Sequence, residues 1–204
     1  MSARIILVRH GETDWNKEKR IQGGSSNTPL NARGREQAES LALRLGREKI
    51  QAIYSSPLQR SLDTAKTIAR YHQLEVVIEP SLREIEAGEL EGVTLAKLGR
   101  RFSELLTQDA GDGVSPRAPG GESLSEVQQR GRETVRRLTA EHPAGVLVLV
   151  SHYFVILSIV CSALALPLSQ ISRLGLSTGS ISIISLDGQG ARLELLNETC
   201  DRAE

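Results

Sequence analysis

Ile5-Ile6-Leu7-Val8-Arg9-His10-Gly11-Glu12 is four apolar residues followed at once by two basic ones and a glycine. An apolar run without alternation is the pattern of a strand covered on both faces. The abrupt change to Arg-His-Gly marks the end of that strand and the start of a loop. The pattern recurs. Ala52-Ile53-Tyr54-Ser55 runs into Ser56-Pro57, Val76-Val77-Ile78 is closed by Pro80, and Val146 to Val150 runs into Ser151-His152. Helical periodicity lies between these runs. Asn31 can cap a helix that buries Ala38, Leu41, Ala42 and Leu45. Pro57 suits the first turn of a second helix, with Leu58, Leu62, Ala65 and Ala69 on one stripe. Glu122 to Leu138 carries a third stripe, and a buried helix follows His152.

Strands alternating with helices imply an α/β fold, a three-layer α/β/α sandwich with a mostly parallel central sheet. Two late runs, near Ile181 to Leu186 and Leu193 to Leu196, flank Asp187-Gly188, a hairpin signal. They add one antiparallel edge region. Residues 11–30 and 82–92 read as loop, and 94–106 as helix. Residues 107–121 hold four glycines and two prolines and read as a surface loop. No repeat or linker divides the chain, so residues 1–204 are expected to form a single domain.

Lys+Arg and Asp+Glu both total 25, so the formal net charge is zero. No global field favours nucleic acid or an anionic membrane, and neither is expected as a partner. An anion site must be a local concentration of positive groups. The apolar stretch after His152 is about 14 residues, short of the roughly 20 a membrane helix needs. The N-terminal run is too short for a secretory signal. Cys161 and Cys200 show neither metal-site nor disulfide-framework spacing. A reduced, cytoplasmic protein is the simpler expectation.

In such folds ligands bind beyond the carboxyl ends of the strands. There the sequence delivers Arg9-His10, Ser55-Ser56 with Arg60 just beyond, and Ser151-His152. Two imidazoles and two guanidiniums suit a phosphoryl group. Arginine forks match its oxygens, a neutral His can attack phosphorus, and a second, protonated His can stabilise the charge that develops. Each residue alone has a blander reading. A single His after a strand is more often a core or capping residue, and Arg60 alone reads as a solvated helix residue. His72 and His142 read as residues at the C-terminal ends of helices.

The wording of the chain then adds to this. Leu7-Val8-Arg9-His10-Gly11-Glu12-Thr13 with Asn16 resembles the signature of the histidine phosphatase superfamily, the phosphoglycerate-mutase-like group. The likeness continues in order through several segments. These are Gln22-Gly23, Pro29-Leu30 with Gly34 and Gln37-Ala38, and Tyr54-Ser55-Ser56-Pro57-Leu58 with Arg60 and Thr64-Ala65. Leu82-Arg83-Glu84-Ile85 with Gly88 and Glu91-Gly92, then Gly120-Gly121-Glu122-Ser123, then Val150-Ser151-His152 complete it. Tyr153 stands where the family often has Gly, Ala87 where an aromatic or His commonly precedes Gly88, and Asp63 where Gln is common.

The resemblance implies roles. His10 would be the nucleophile and Glu84 the general acid. Arg9, Arg60 and His152, helped by Asn16, would hold the phosphoryl group. Gln22 and Gly23 would lie near the rest of the substrate. Tyr153, a departure from the family pattern, would either line or narrow the pocket or join the following helix in the core. No metal or organic cofactor is implied, and the sequence shows no metal-ligand spacing. The helix at 94–106 and the loop at 107–121 would form a cap segment, about 84–121, over the site. A homodimer would be compatible with the family.

The function expected is a metal-independent phosphomonoesterase acting on a small phosphorylated metabolite. The tail Leu196-Asn197-Glu198-Thr199-Cys200 resembles that of phosphoserine and phosphoglycerate-type relatives, which makes a polar three-carbon phosphoester the first substrate expected. The alternative is a cofactor-dependent phosphoglycerate mutase. Such mutases carry a His-Tyr pair where this chain has Glu86-Ala87. Glu86, Glu89 and Glu91 would also repel a bisphosphorylated ligand if they crowd the mouth. A non-catalytic phosphate-binding protein is the remote alternative; the complete set His10, Glu84 and His152 argues against it.

Overall fold

The computed structural model describes residues 2–99 and 117–200. Strand β1 (Ala3–Arg9) is the axis of the molecule. It pairs in parallel with β4 (Val146–Ser151), in register from Arg4 opposite Val146 to Arg9 opposite Ser151. β2 (Ala52–Ser55) lies parallel on the far side of β4, and β3 (Val76–Ile78) parallel beyond it. On its other side β1 takes β5 (Ser180–Asp187) antiparallel, and β6 (Gly190–Thr199) closes that edge. The six-stranded order is β3-β2-β4-β1-β5-β6. The parallel core with one antiparallel edge is as expected.

The pleat sorts the sheet's side chains into two cores. Ile5, Leu7, Leu147 and Leu149 face one way, against α5 (Leu124–Glu141) and α6 (Tyr153–Ala163). Ile6, Val8, Val148 and Val150 face the other, against α2 (Ala32–Leu45) and α3 (Gln59–His72). The three layers follow from that alternation. Each of these fully covered side chains contributes roughly 1.5–3 kcal/mol of burial.

Boundaries differ from expectation in three places. The loop after β1 contains a one-turn helix, α1 (Asp14–Lys17), closed by a reciprocal capping box between Thr13 and Asn16. Pro57 precedes α3 rather than opening it; Leu58 is the N-cap. The helix expected at 94–106 appears as α4 (Leu95–Leu98) and turns at Gly99, whose φ is +50°. The remainder of that helix, and most of the expected loop at 107–121, lie outside the described residues. Among the described residues no helix is long and apolar enough to cross a membrane. Cys161 and Cys200 are free thiols.

The topology gathers chain segments at one end of the sheet. β1, β2 and β4 all finish there, and antiparallel β5 begins there, so residues 174–179 arrive beside His10. The amide of Gly179 donates to the His10 carbonyl at 3.0 Å.

Candidate active site

β1 hands over Arg9 and His10. The His10 Nδ1 lies 2.7 Å from the Gly11 carbonyl oxygen. A carbonyl only accepts, so the ring proton sits on Nδ1 and Nε2 keeps its lone pair. Burial holds the His10 pKa well below the usual histidine range, reinforced by Arg60 and Arg9. The ring is therefore neutral at neutral pH, the state a nucleophile needs.

β4 hands over His152, fully buried, its ring centroid 5.0 Å from that of His10. Its Nε2 meets the hydroxyls of Ser56 at 2.7 Å and Ser61 at 3.2 Å. Its Nδ1 is buried with no partner among the described residues. Burial, then Arg60, His10 and Arg9, push this imidazole well below its ordinary range too. The sequence suggested a protonated second imidazole. In the protein's own field it is neutral, first because it is buried and then because the charged neighbours that act on it are cations. Only an anion placed among them would reverse that field.

Arg60, in the first turn of α3, is fully buried. Its Nη1 donates to the Ser26 carbonyl at 2.8 Å and its Nη2 to that of Gly23 at 3.0 Å. Arg9 donates from Nη1 to the Leu176 carbonyl at 2.6 Å, and its guanidinium lies 5.2 Å from the Tyr153 ring centroid. The Nε of each arginine is buried without a partner. Among the described residues neither forms an ion pair. Burial lowers the Arg60 pKa to about 10, and the guanidinium stays charged at neutral pH. Among the described residues only carbonyl oxygens accept from these two buried cations, and the acidic charge that acts on them is that of Glu84, with Glu91 for Arg60.

Glu84 follows the 3-10 turn Pro80–Leu82. Its Oε1 accepts from the Ile85 amide at 2.9 Å and its Oε2 from the Phe154 amide, at the start of α6, at 3.3 Å. Only 4% of it is exposed. Burial pushes its pKa up, against these two N–H bonds and the pull of Arg60 and Arg9. A carboxyl raised above its usual range is suited to giving a proton.

Asn16 turns its Oδ1 back to the Thr13 amide at 3.1 Å, which leaves the Nδ2 donors for the cavity it lines. Gln22 places Oε1 2.9 Å from the Thr13 hydroxyl, and its Nε2 is buried without a partner. A cavity of about 660 Å³ lies over the group. Arg9, His10, Asn16, Gln22, Glu84 and Tyr153 line it. Arg60, His152 and Gly23 are not on its wall. His152 packs against His10, which does line it, and Gly23 serves as the acceptor for Arg60.

Glu86, Glu89 and Glu91 do not line the cavity. Glu86 bonds Ser25, and Glu91 accepts the Gly23 amide at 3.0 Å. Lys19 and Arg20 stand on the wall instead. The carboxylates on the wall are those of Glu12 and Glu84, so the repulsion expected from Glu86, Glu89 and Glu91 does not arise at the wall.

Residue reasoning passed over Ser61 and the Leu176 carbonyl, and gave Ser56 no role. Ser56 had a signal, its place at a strand end. Ser61 and Leu176 reach the site only through tertiary structure.

A sequence profile of the histidine phosphatase superfamily (branch 1) matches residues 5–199. The chain belongs to that superfamily. Phosphoserine phosphatase 1 of Hydrogenobacter thermophilus is 33% identical over 201 residues, covering 98% of this chain and 95% of that protein. A probable phosphoglycerate mutase of Serratia proteamaculans is 35% identical over 179 residues, 88% of this chain and 83% of its own. Among solved structures, a phosphoserine phosphatase variant from Entamoeba histolytica in complex with phosphoserine superposes with a TM-score of 0.86. It is 27% identical, covering 96% of this chain and 97% of that one. This histidine phosphatase is a phosphatase by family and by the names of its relatives.

Proposed function

We propose that the chain hydrolyses a small, carboxylate-bearing phosphomonoester of the phosphoserine or phosphoglycerate type through a phosphohistidine on His10. The observation that carries this is the lone pair of His10 Nε2, fixed by the Nδ1 bond to Gly11, beside two buried arginines that form no ion pair among the described residues. Arg9, Arg60, His152 and Asn16 would hold the three equatorial oxygens. Nε2 attacks phosphorus, the P–O ester bond breaks, and Glu84 gives its proton to the departing oxygen. Glu84, now a carboxylate, takes a proton from water as that water attacks phosphorus. The P–N bond then breaks, releasing inorganic phosphate and restoring both groups.

The charge that accepts the phosphoryl oxygens comes from arginine, so the reaction is written without a metal. Gln22 Nε2 is a donor facing the remainder of the ester, with Tyr153 as the opposing wall. Lys19 makes no ion pair among the described residues and stands where a substrate carboxylate would approach. Two of the relatives named above are phosphoserine phosphatases, which supports the same class. Residues 1–204 would act as one domain, with the segment at about 84–121 as its cap; Glu84, Ile85 and Leu95 from it already face the cavity. Free thiols suit a cytoplasmic setting.

The test is release of inorganic phosphate, with chelator present, from phosphoserine, 3-phosphoglycerate, sugar phosphates and an aryl phosphate. Release favouring the first two, lost in His10→Ala, is expected. Conversion of 3-phosphoglycerate to its 2-isomer when 2,3-bisphosphoglycerate is added, without release, would assign a mutase instead.

A further inference from the structure

β6 is an edge strand, yet one of its residues bonds a segment that lines the active-site cavity. Ile181 and Ile183, two apart on β5, face Glu198 and Leu195, three apart on β6. The extra residue makes a bulge. Within it Asn197 has a φ of +58°, the left-handed region that Asn tolerates better than most residues. That conformation turns its side chain toward the segment entering β5. Its Oδ1 accepts from the Ser177 amide at 2.6 Å, and its own amide donates to the Ser182 hydroxyl at 3.1 Å.

Ser177 and Thr178 line the cavity. The residue before them, Leu176, supplies the carbonyl that holds Arg9 Nη1. The side chain of Leu176 is itself buried, and the Ser177 carbonyl accepts from the Ser180 hydroxyl at 2.7 Å. The Ser177 amide is thus the joint between the anchored strand and the peptide that fixes one guanidinium.

We propose that Asn197 is a positioning residue. Its side-chain carbonyl, projected by the left-handed bulge, holds the Leu176–Ser177 peptide so that the Leu176 oxygen aims Arg9 at the phosphoryl group. The inference rests on the phosphate-binding reading of Arg9. Two features are required of residue 197: a backbone that accepts positive φ, and an acceptor oxygen at that reach. Asp has both, Gly has the first only, and Ala has neither.

Binding of inorganic phosphate, followed by titration calorimetry, reads the effect without turnover. Wild-type protein is expected to bind, and Asn197→Asp to bind within twofold of it. Asn197→Gly is expected to lose roughly two- to tenfold, the worth of one hydrogen bond, with the same loss in kcat/KM. In an Arg9→Lys background, Asn197→Gly is expected to add no further loss, because the group it aims is already gone. Ser182→Ala loosens the bulge from its other side and is expected to lower Tm while leaving phosphate affinity within twofold. It also keeps the question open to measurement if Asn197→Gly does not fold. In that case a loss of affinity in Ser182→Ala beyond twofold would overturn the proposal, since general loosening would suffice. Equal loss from Asn197→Gly with and without Arg9, or no loss at all, overturns it directly. Failure of the wild type to bind phosphate would instead strike the functional reading itself.

Discussion

His10 donates from Nδ1 to the carbonyl of the next residue, so its orientation does not depend on a distant carboxylate. A single peptide fixes the tautomer, the ring plane and the direction of the free nitrogen. Glu84 is its complement, a carboxyl whose pKa burial pushes up from the usual carboxylate range. On the proposed mechanism the two make opposite demands on pH. His10 must be unprotonated, which its lowered pKa allows down to well under 6.5. Glu84 must be protonated, so activity declines as pH rises through a pKa that burial has moved above 4.5. Glu84→Gln is expected to lower kcat on an alkyl phosphate by about 10²–10⁴-fold, the usual value of a general acid. On an aryl phosphate, whose leaving group needs no proton, the loss should be much smaller. The declining limb of the pH profile should disappear in the same variant. Equal losses on both esters would remove Glu84 from the acid role.

At the scale of elements, the loop after His10 is held by the start of α2. Asn31, the N-cap of that helix, donates from its amide to the Glu12 carbonyl at 3.0 Å and from its side chain to the Glu12 carboxylate at 2.9 Å. The approach is so close that a Cβ on Gly34 would stand 2.1 Å from the Glu12 carbonyl oxygen. Gly34→Ala must therefore push the first turn of α2 and the nucleophile loop apart. It is expected to destabilise by about 1–3 kcal/mol and to lower kcat/KM more than that loss of folded protein explains. Gly188→Ala, with nothing within 4 Å of its Cβ, is the control and should change Tm hardly at all. A harmless Gly34→Ala would show that the loop moves independently of the helix.

The same elements show how far the sequence could be read. β1 and β4 were legible because central parallel strands are apolar on both faces, and α2 and α3 because their stripes keep one period. α1 was hidden because a single turn has no period, and its cap pairs Thr13 with Asn16 rather than with the usual Glu or Gln. The motif residues of the site stood at strand ends, where the fold rule directs attention. Their supports did not. Ser61 is 91 residues from the imidazole it bonds, and Leu176 is 167 from Arg9. Contacts at that separation depend on which strand lies beside which, and local pattern carries no trace of strand order.

For the whole molecule, buried ionisable groups tie folding to pH. His10 and His152 are both depressed well below 6.5 in the folded protein, so unfolded chains bind more protons once pH falls below that value. Stability from this source is intact above 6.5 and is lost as pH falls toward the folded pKa values. Glu84, raised, works in the other direction, but it is one group against two. Tm is therefore expected to fall by several degrees on acidification from pH 7.5 to 6. A His10→Asn, His152→Asn double variant should flatten that slope; an unchanged slope would place the titrating groups elsewhere.

The two buried guanidiniums, which form no ion pair among the described residues, carry a last consequence. Inorganic phosphate leaves the reaction bearing the same oxygens and nearly the same charge as the ester head that entered. A cradle built of buried cations welcomes both alike, and it gains stability from whichever occupies it. On the proposed reading, product inhibition is therefore inherent in this architecture. The catalyst slows as its own product accumulates, and its pace reports the phosphate level of the surroundings.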